Sequence, residues 1–148
     1  MRSAGRITDL VARLVLGGAF AFYGYHKIAA PDAFLKALRG YDLLPASPPE
    51  LMNCVAVILP WVEVICGALL LLGAWRRPAA LLVLGLTVVF TVAVSWRAVA
   101  EADAAGVSMC AVEFDCGCGQ GPVWFCVKLA ENAVLAALAL VVAVRRRP

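Results

Sequence analysis

Charged residues are scarce in this chain of 148 residues. Asp, Glu, Lys and Arg make up only 16% of it, whereas hydrophobic residues make up 64%. Water-soluble domains are about a quarter charged and about half apolar, so this composition excludes an ordinary soluble domain and predicts an integral membrane protein. The net charge of +3 does not indicate a nucleic-acid partner, because the basic residues lie at the ends of apolar segments.

Basic residues are absent from one segment in particular, residues 101–122. By contrast, the N-terminus, the turn at Arg76 and Arg77, and the C-terminal residues 145–147 are all basic. By the positive-inside rule, these three regions face the cytoplasm of a bacterial inner membrane, and the 101–122 loop faces the periplasm or cell exterior. Both termini are then inside, and the apolar segments that cross the bilayer lie at about 9–28, 51–73, 78–100 and 123–144.

These segments predict an all-α fold, an integral membrane four-helix bundle that occupies residues 1–148 as a single domain. Residues 31–49, between the first two spans, are too charged and too rich in proline to cross a membrane. Their apolar residues alternate with charges, as in a short amphipathic helix that lies in the interface. The first apolar segment lacks an A-x-A cleavage pattern, so we expect it to be a retained helix.

The cysteines are the strongest chemical signal. Cys110, Cys116, Cys118 and Cys126 fall in or beside the loop that the topology assigns to the oxidising side, which favours thiol–disulfide chemistry. A disulfide between Cys116 and Cys118 closes a very small ring, and we expect it to be strained and easily reduced. Two alternatives stay open: a stapling disulfide such as Cys110–Cys126, and a soft-metal site for copper(I) or zinc with Met109 or His26 as a further donor.

Two carboxylates lie deep within predicted spans. Glu63 and Glu131 are roughly 18 Å and 12 Å from the outer ends of their helices, at about 1.5 Å of rise per residue, and neither reaches water easily. Together with Asn132 they predict a proton-transfer or quinone-headgroup site, or else a polar clasp between helices. His26 is either an interfacial anchor or a ligand. Four basic side chains nearer the span ends are expected to extend to water: Arg13, Lys27, Arg97 and Lys128.

Several short motifs are spread along nearly the whole chain. The most specific are Leu-Pro-Trp-Val-Glu at 59–63 and Asp-Cys-Gly-Cys-Gly at 115–119, and others lie at 13–17, 26–28, 41–45 and Asn132. In this order and spacing they resemble the DoxX/MauE family of small membrane proteins associated with redox functions. The resemblance implies a four-helix bundle, akin to the vitamin K epoxide reductase-like arrangement, that couples outward cysteines to a quinone in the membrane.

The leading hypothesis is therefore a membrane thiol–disulfide redox protein. Cys116 and Cys118 would pass electrons between a periplasmic thioredoxin-like protein, or a small sulfur compound, and a membrane quinone, with Cys110 and Cys126 as a secondary pair. No tightly bound cofactor is expected. One alternative is a module that binds or transports a soft metal or a small sulfur species. Another is a non-catalytic subunit that docks a partner enzyme. Contact with membrane lipid is expected for each, and a homodimer is a further expectation.

Overall fold

Helices account for most of the computed structural model, which describes residues 2–43 and 49–145, with side chains from Gly5 onward. A short 3-10 turn at Met109–Ala111 and one antiparallel pair of strands complete the fold. The helices are α1 (Arg2–Ala29), α2 (Pro31–Gly40), α3 (Pro49–Leu72), α4 (Arg76–Ala105) and α5 (Phe125–Val144), and the strands are β1 (Glu113–Asp115) and β2 (Pro122–Trp124).

Within the described residues, α1, α3, α4 and α5 are long and apolar enough to cross a membrane. The predicted all-α membrane bundle is confirmed, and the short helix between the first two spans is α2. Several details differ from the prediction, and helix α1 already begins at Arg2, before the predicted span. Helix α4 extends beyond residue 100, because nothing breaks it before Gly106, which ends it in a left-handed conformation. The β1–β2 hairpin was not predicted, since each strand has only three residues.

Helix α1 packs mainly against α3, and α4 packs mainly against α5. The α1–α3 crossing is unusually close. A Cβ atom added at Gly67 would lie 2.7 Å from the backbone nitrogen of Ala21, and one added at Gly24 would lie 2.6 Å from the carbonyl oxygen of Pro60. Small residues let membrane helices approach in this way. Such close packing is a main source of helix association in a membrane, because lipid provides no hydrophobic driving force for it. Gly17 takes part in the same crossing, whereas Gly18 faces open space.

We expect Gly67→Ala to destabilise the bundle by about 1–3 kcal/mol, because the added methyl group meets backbone that cannot move aside. Gly85→Ala on α4 is the matched control, since a Cβ atom added at Gly85 would meet no neighbouring atom within 4 Å, and it should be neutral or stabilising by up to about 1 kcal/mol. Unfolding by increasing SDS in mixed micelles measures both. Equal stability of the two variants would contradict the close crossing.

Four of the described arginines lie at one end of the bundle: Arg13, Arg76, Arg77 and Arg145. Arg13, predicted to extend to water, instead donates from Nε to the carbonyl oxygen of Leu70 at 2.9 Å. Arg77 donates to the carbonyl oxygen of Ala143, also at 2.9 Å. Both acceptors lie in the last turn of a helix, where carbonyl groups lack intrahelical partners and the helix dipole is negative. These arginines therefore cap α3 and α5, in addition to any role in orienting the protein.

Candidate functional site

The segment between β1 and β2 is a tight turn closed by a disulfide between Cys116 and Cys118. The side chain of Asp115 accepts a hydrogen bond from the backbone N–H of Gly117 at 2.8 Å. Gly117 and Gly119 have φ angles of +71° and +81°, a left-handed conformation that glycine adopts without steric cost. The Asp-Cys-Gly-Cys-Gly motif thus encodes a turn that brings its two sulfur atoms together.

Neighbouring elements hold this turn against the bundle. The Tyr41 hydroxyl, just after α2, donates to the carbonyl oxygen of Cys116 at 3.0 Å. Burial raises the pKa of Tyr41 to about 12, so the phenol stays protonated and remains a donor at physiological pH. Arg97 on α4 donates to the carbonyl oxygen that precedes the turn at 3.1 Å. A Cβ at Gly117 would lie 3.0 Å from that of Ala37, so α2 packs directly on the turn.

A cavity of about 260 Å³ lies between the turn and the helices, and both Cys116 and Cys118 line it. Both cysteines are buried. The cavity walls are mainly aliphatic and aromatic side chains from α1, α2, α3, α4 and α5. The polar side chains that also line it are Tyr23, Lys27, Tyr41, Thr87, Lys128 and Asn132. An apolar cavity with a few converging polar groups is the usual form of a small-molecule site.

Lys27 forms a buried ion pair with Glu63 across the α1–α3 crossing. Its Nζ atom lies 2.5 Å from Glu63 Oε1, and the side chains are 5% and 0% exposed. The ammonium also lies over the rings of Phe34 and Phe90, at 5.0 Å and 4.8 Å from their centroids. The expectation that Lys27 extends to water is therefore wrong. A carboxylate as deep as Glu63 needs a cation, because an unpaired buried charge is very costly.

A second lysine, Lys128, is buried in the same way. Its Nζ atom lies 3.2 Å from Glu131 Oε2 and 4.8 Å from the centroid of the Tyr23 ring. Tyr23 donates its hydroxyl to the other oxygen of Glu131, and Gln120 of the cysteine loop donates to Tyr23 at 3.5 Å. The expectation that Lys128 reaches water is thus also wrong. A chain of polar contacts therefore runs from Gln120 in the cysteine loop to the buried Lys128, by way of Tyr23 and Glu131.

Three of the predicted polar residues lie in or next to the inner cavity. Asn132 lines the cavity and donates to Thr91 at 3.1 Å. Glu63 and Glu131 are not among the side chains that line it, but each binds a lysine that does. The two lysines are the site residues that sequence reasoning missed. The i, i+3 spacing of Lys128 and Glu131 is a usable signal, whereas no local pattern pairs Lys27 with Glu63.

His26, the fourth predicted binding residue, belongs to a second pocket of about 220 Å³. The backbone of the cysteine turn borders this outer pocket, while the cysteines themselves line the inner cavity. Lys27 and Phe34 line both, so they and the turn separate the two spaces. The residues around the outer pocket are His26, Lys27, Ala30, Ala33, Phe34, Asp115, Gly117 and Gly119.

The remaining cysteines differ in exposure and pairing. Cys110 is exposed and forms a disulfide with Cys126, which ties the 3-10 turn to the first turn of α5. Cys54 is free and exposed, and Cys66 is free and buried, as expected for a small apolar residue. In residues 2–43 and 49–145 no group of three or more His, Cys, Asp or Glu is arranged to hold a metal ion.

These features define a class: a small multi-pass membrane protein with a disulfide turn above a helical bundle and polar groups buried beneath it. The chain belongs to the MauE family, because the family model described as Methylamine utilisation protein MauE matches residues 5–145. This is a membrane protein family related to DoxX-like redox membrane proteins, so the predicted membership is confirmed. No curated protein and no solved structure matches the chain significantly.

Proposed function

We propose that this chain is a membrane thiol–disulfide oxidoreductase. In this proposal the Cys116–Cys118 pair accepts electrons from a thiol outside the membrane and passes them to a quinone in the bilayer. The observation that best supports it is that both cysteines line an apolar cavity among the membrane helices. A quinone headgroup is flat and apolar, with two carbonyl oxygens that accept hydrogen bonds, and it suits a cavity with few donors.

The chemistry has two stages. An external thiolate attacks one sulfur of the Cys116–Cys118 disulfide, and a mixed disulfide forms. A second external thiol then displaces it, which leaves an external disulfide and two reduced cysteines. In the second stage the two S–H bonds break and the S–S bond forms again, so two electrons and two protons leave the cysteines. The quinone takes up two electrons and two protons and becomes a quinol.

The outer pocket supports a route for the external thiol, because it borders the backbone of the cysteine turn. The donor would be a periplasmic thioredoxin-like protein or a small sulfur compound. Cys110, exposed and paired with Cys126, supports a secondary role for that pair in receiving electrons. This orientation rests on the positive-inside rule, since the capping arginines lie at the opposite end of the bundle from the turn.

Membrane vesicles test the proposal and its orientation together. Glutathione crosses membranes poorly, so we expect it to accelerate formation of membrane quinol in right-side-out vesicles that contain the chain. The controls are inverted vesicles and vesicles without the chain, and extracted quinol is quantified. No acceleration in either orientation would refute the electron-transfer function. Acceleration confined to inverted vesicles would instead show that the cysteine loop faces the cytoplasm.

A further inference from the structure

Reduction of a quinone needs protons as well as electrons, and an apolar cavity offers few. Lys27 and Lys128 line the cavity that Cys116 and Cys118 also line. Resting on the proposed function, we propose that these two lysines are the proton donors of the reaction, each of which protonates one oxygen of the quinone. A quinone takes up two protons, and the cavity wall carries two ammonium groups.

The arrangement of each pair supports this role. Lys27 and Lys128 border the cavity, whereas their partners Glu63 and Glu131 do not. Each carboxylate therefore holds its ammonium group against the cavity wall without competing for the space inside. Glu63 Oε2 is buried and has no hydrogen-bond partner in the part of the chain that the structure describes. That oxygen can accept the replacement proton and pass it to the Lys27 amine after Lys27 has protonated the quinone.

Each lysine also has its own connection to the outer surface, which is needed to replace a donated proton. Lys27 lines the outer pocket as well as the cavity, so it contacts both spaces. Lys128 is connected through Glu131 and Tyr23 to Gln120 in the cysteine loop. Protons can thus return to the two donors by separate routes, both from the side of the membrane that holds the cysteine turn.

The charged groups around the donors form a nearly neutral set. Lys27 is next to His26 on its own helix, shares the outer pocket with Asp115, and interacts with Glu63 on α3 and with Lys128 on α5. On α2 and α4, the rings of Phe34 and Phe90 lie over its ammonium group. Lys128 faces Glu131 on its own helix, Tyr23 and Lys27 on α1, and Glu63 on α3. Formally, two ammonium groups face three carboxylates in this set, which leaves it close to neutral.

The step balances as follows. Oxidation of the two cysteine thiols to a disulfide releases two electrons and two protons, and the electrons pass to the quinone. Lys27 and Lys128 each give one proton to a quinone oxygen and become neutral amines. The two protons that leave the thiols restore both ammonium groups, either directly or by release at the outer surface in exchange for two protons taken up from there. The net change is dithiol plus quinone to disulfide plus quinol.

The test separates electron transfer into its two stages, with the chain in nanodiscs, dithiothreitol as reductant and ubiquinone-1 as acceptor. The variants are Lys128→Met and the paired Lys27→Met, Glu63→Gln, which avoids an unpaired buried carboxylate. Each should slow quinol formation by about 100-fold, the lower range for loss of a general acid. Reduction of the cysteine pair by dithiothreitol, followed by maleimide gel shift, should keep its native rate. Lys36→Met, at an exposed lysine on α2, is the control.

Lys128→Arg distinguishes proton donation from charge stabilisation, because arginine keeps the positive charge but does not release its proton. We expect it to be nearly as slow as Lys128→Met. If it is as fast as the native chain, or if the methionine variants keep native quinol formation, the lysines are not the donors. A native chain that forms no quinol refutes the proposed function itself. A native gel-shift rate in each variant verifies that its cysteine turn is folded.

Discussion

Cys116→Ser and Cys118→Ser are each expected to reduce quinol formation to the uncatalysed rate, in nanodiscs with dithiothreitol and ubiquinone-1. The reason is that Cys116 and Cys118 are the cysteines that line the inner cavity among the described residues. A single remaining thiol cannot form the intramolecular disulfide that releases two electrons. It should instead remain a free thiol, which mass spectrometry after maleimide labelling detects. Cys54→Ser is the matched control, because Cys54 is free, exposed and not among the residues that line the cavity.

The outcome for Cys116 and Cys118 also discriminates between the remaining hypotheses. If both serine variants retain native quinol formation, the cysteine turn is not the electron carrier. If the native chain is inactive and its reduced cysteines react with maleimide only after a chelator is added, the soft-metal alternative gains support, because coordination uses the same sulfur lone pairs. If no treatment has an effect, the hypothesis of a docking subunit replaces both.

The paired change Cys110→Ser, Cys126→Ser addresses the second disulfide in the same assay. Its sequence separation is 16 residues, and loss of a disulfide across such a loop costs about 3 kcal/mol. If the pair is only a staple, quinol formation at low temperature should persist with either dithiothreitol or reduced thioredoxin. If it receives electrons first, the reaction with thioredoxin should fail while that with dithiothreitol continues.

Lys27→Met alone is expected to destabilise the bundle by about 3–5 kcal/mol, the usual cost of removing one partner from a buried ion pair. The Glu63 side chain is 0% exposed and Lys27 is its cation, so the variant leaves a carboxyl group in an apolar interior. The paired variant Lys27→Met, Glu63→Gln removes both charges and should recover most of the loss. Unfolding in mixed SDS micelles of these two variants and of Glu63→Gln alone gives the coupling energy.

Lys36→Met serves again as the control for this stability series, because Lys36 is exposed on α2 and should contribute less than about 1 kcal/mol. The decisive comparison is between the single and paired changes. If Glu63→Gln lowers the free energy of unfolding of the Lys27→Met chain further, the effects of the two changes add. In that case the Lys27–Glu63 contact contributes little to stability.

The membrane fold could be predicted from sequence because its determinants are local. Each span is a continuous apolar run, and a helix is the structure that satisfies its own backbone hydrogen bonds in lipid. Prolines and charges identified α2 in the same way. The β1–β2 hairpin could not be predicted, because its strands are three residues long and depend on a disulfide turn and on packing against Tyr41 and Arg97.

The candidate site was predictable where its chemistry is encoded in a short motif. The Asp-Cys-Gly-Cys-Gly turn carries its own spacing, glycines and capping aspartate. The partners of the buried acids were not predictable to the same degree. Lys27 and Glu63 are 36 positions apart and meet only because small residues allow α1 and α3 to cross closely. The position of a lysine in its helix does not predict whether its side chain extends to water or forms a buried ion pair with an acid on another helix.

The cysteine turn separates an outer pocket from an inner cavity, so the residues around each space can change separately during evolution. Side chains such as His26 and Asp115 contact only the outer space, and others such as Asn132 contact only the inner one. Mutations in one set can therefore change which molecule is recognised on that side while the other side keeps its own preference. Under the proposed function, one redox partner can then change at a time, while the cysteine turn between the two spaces stays the same.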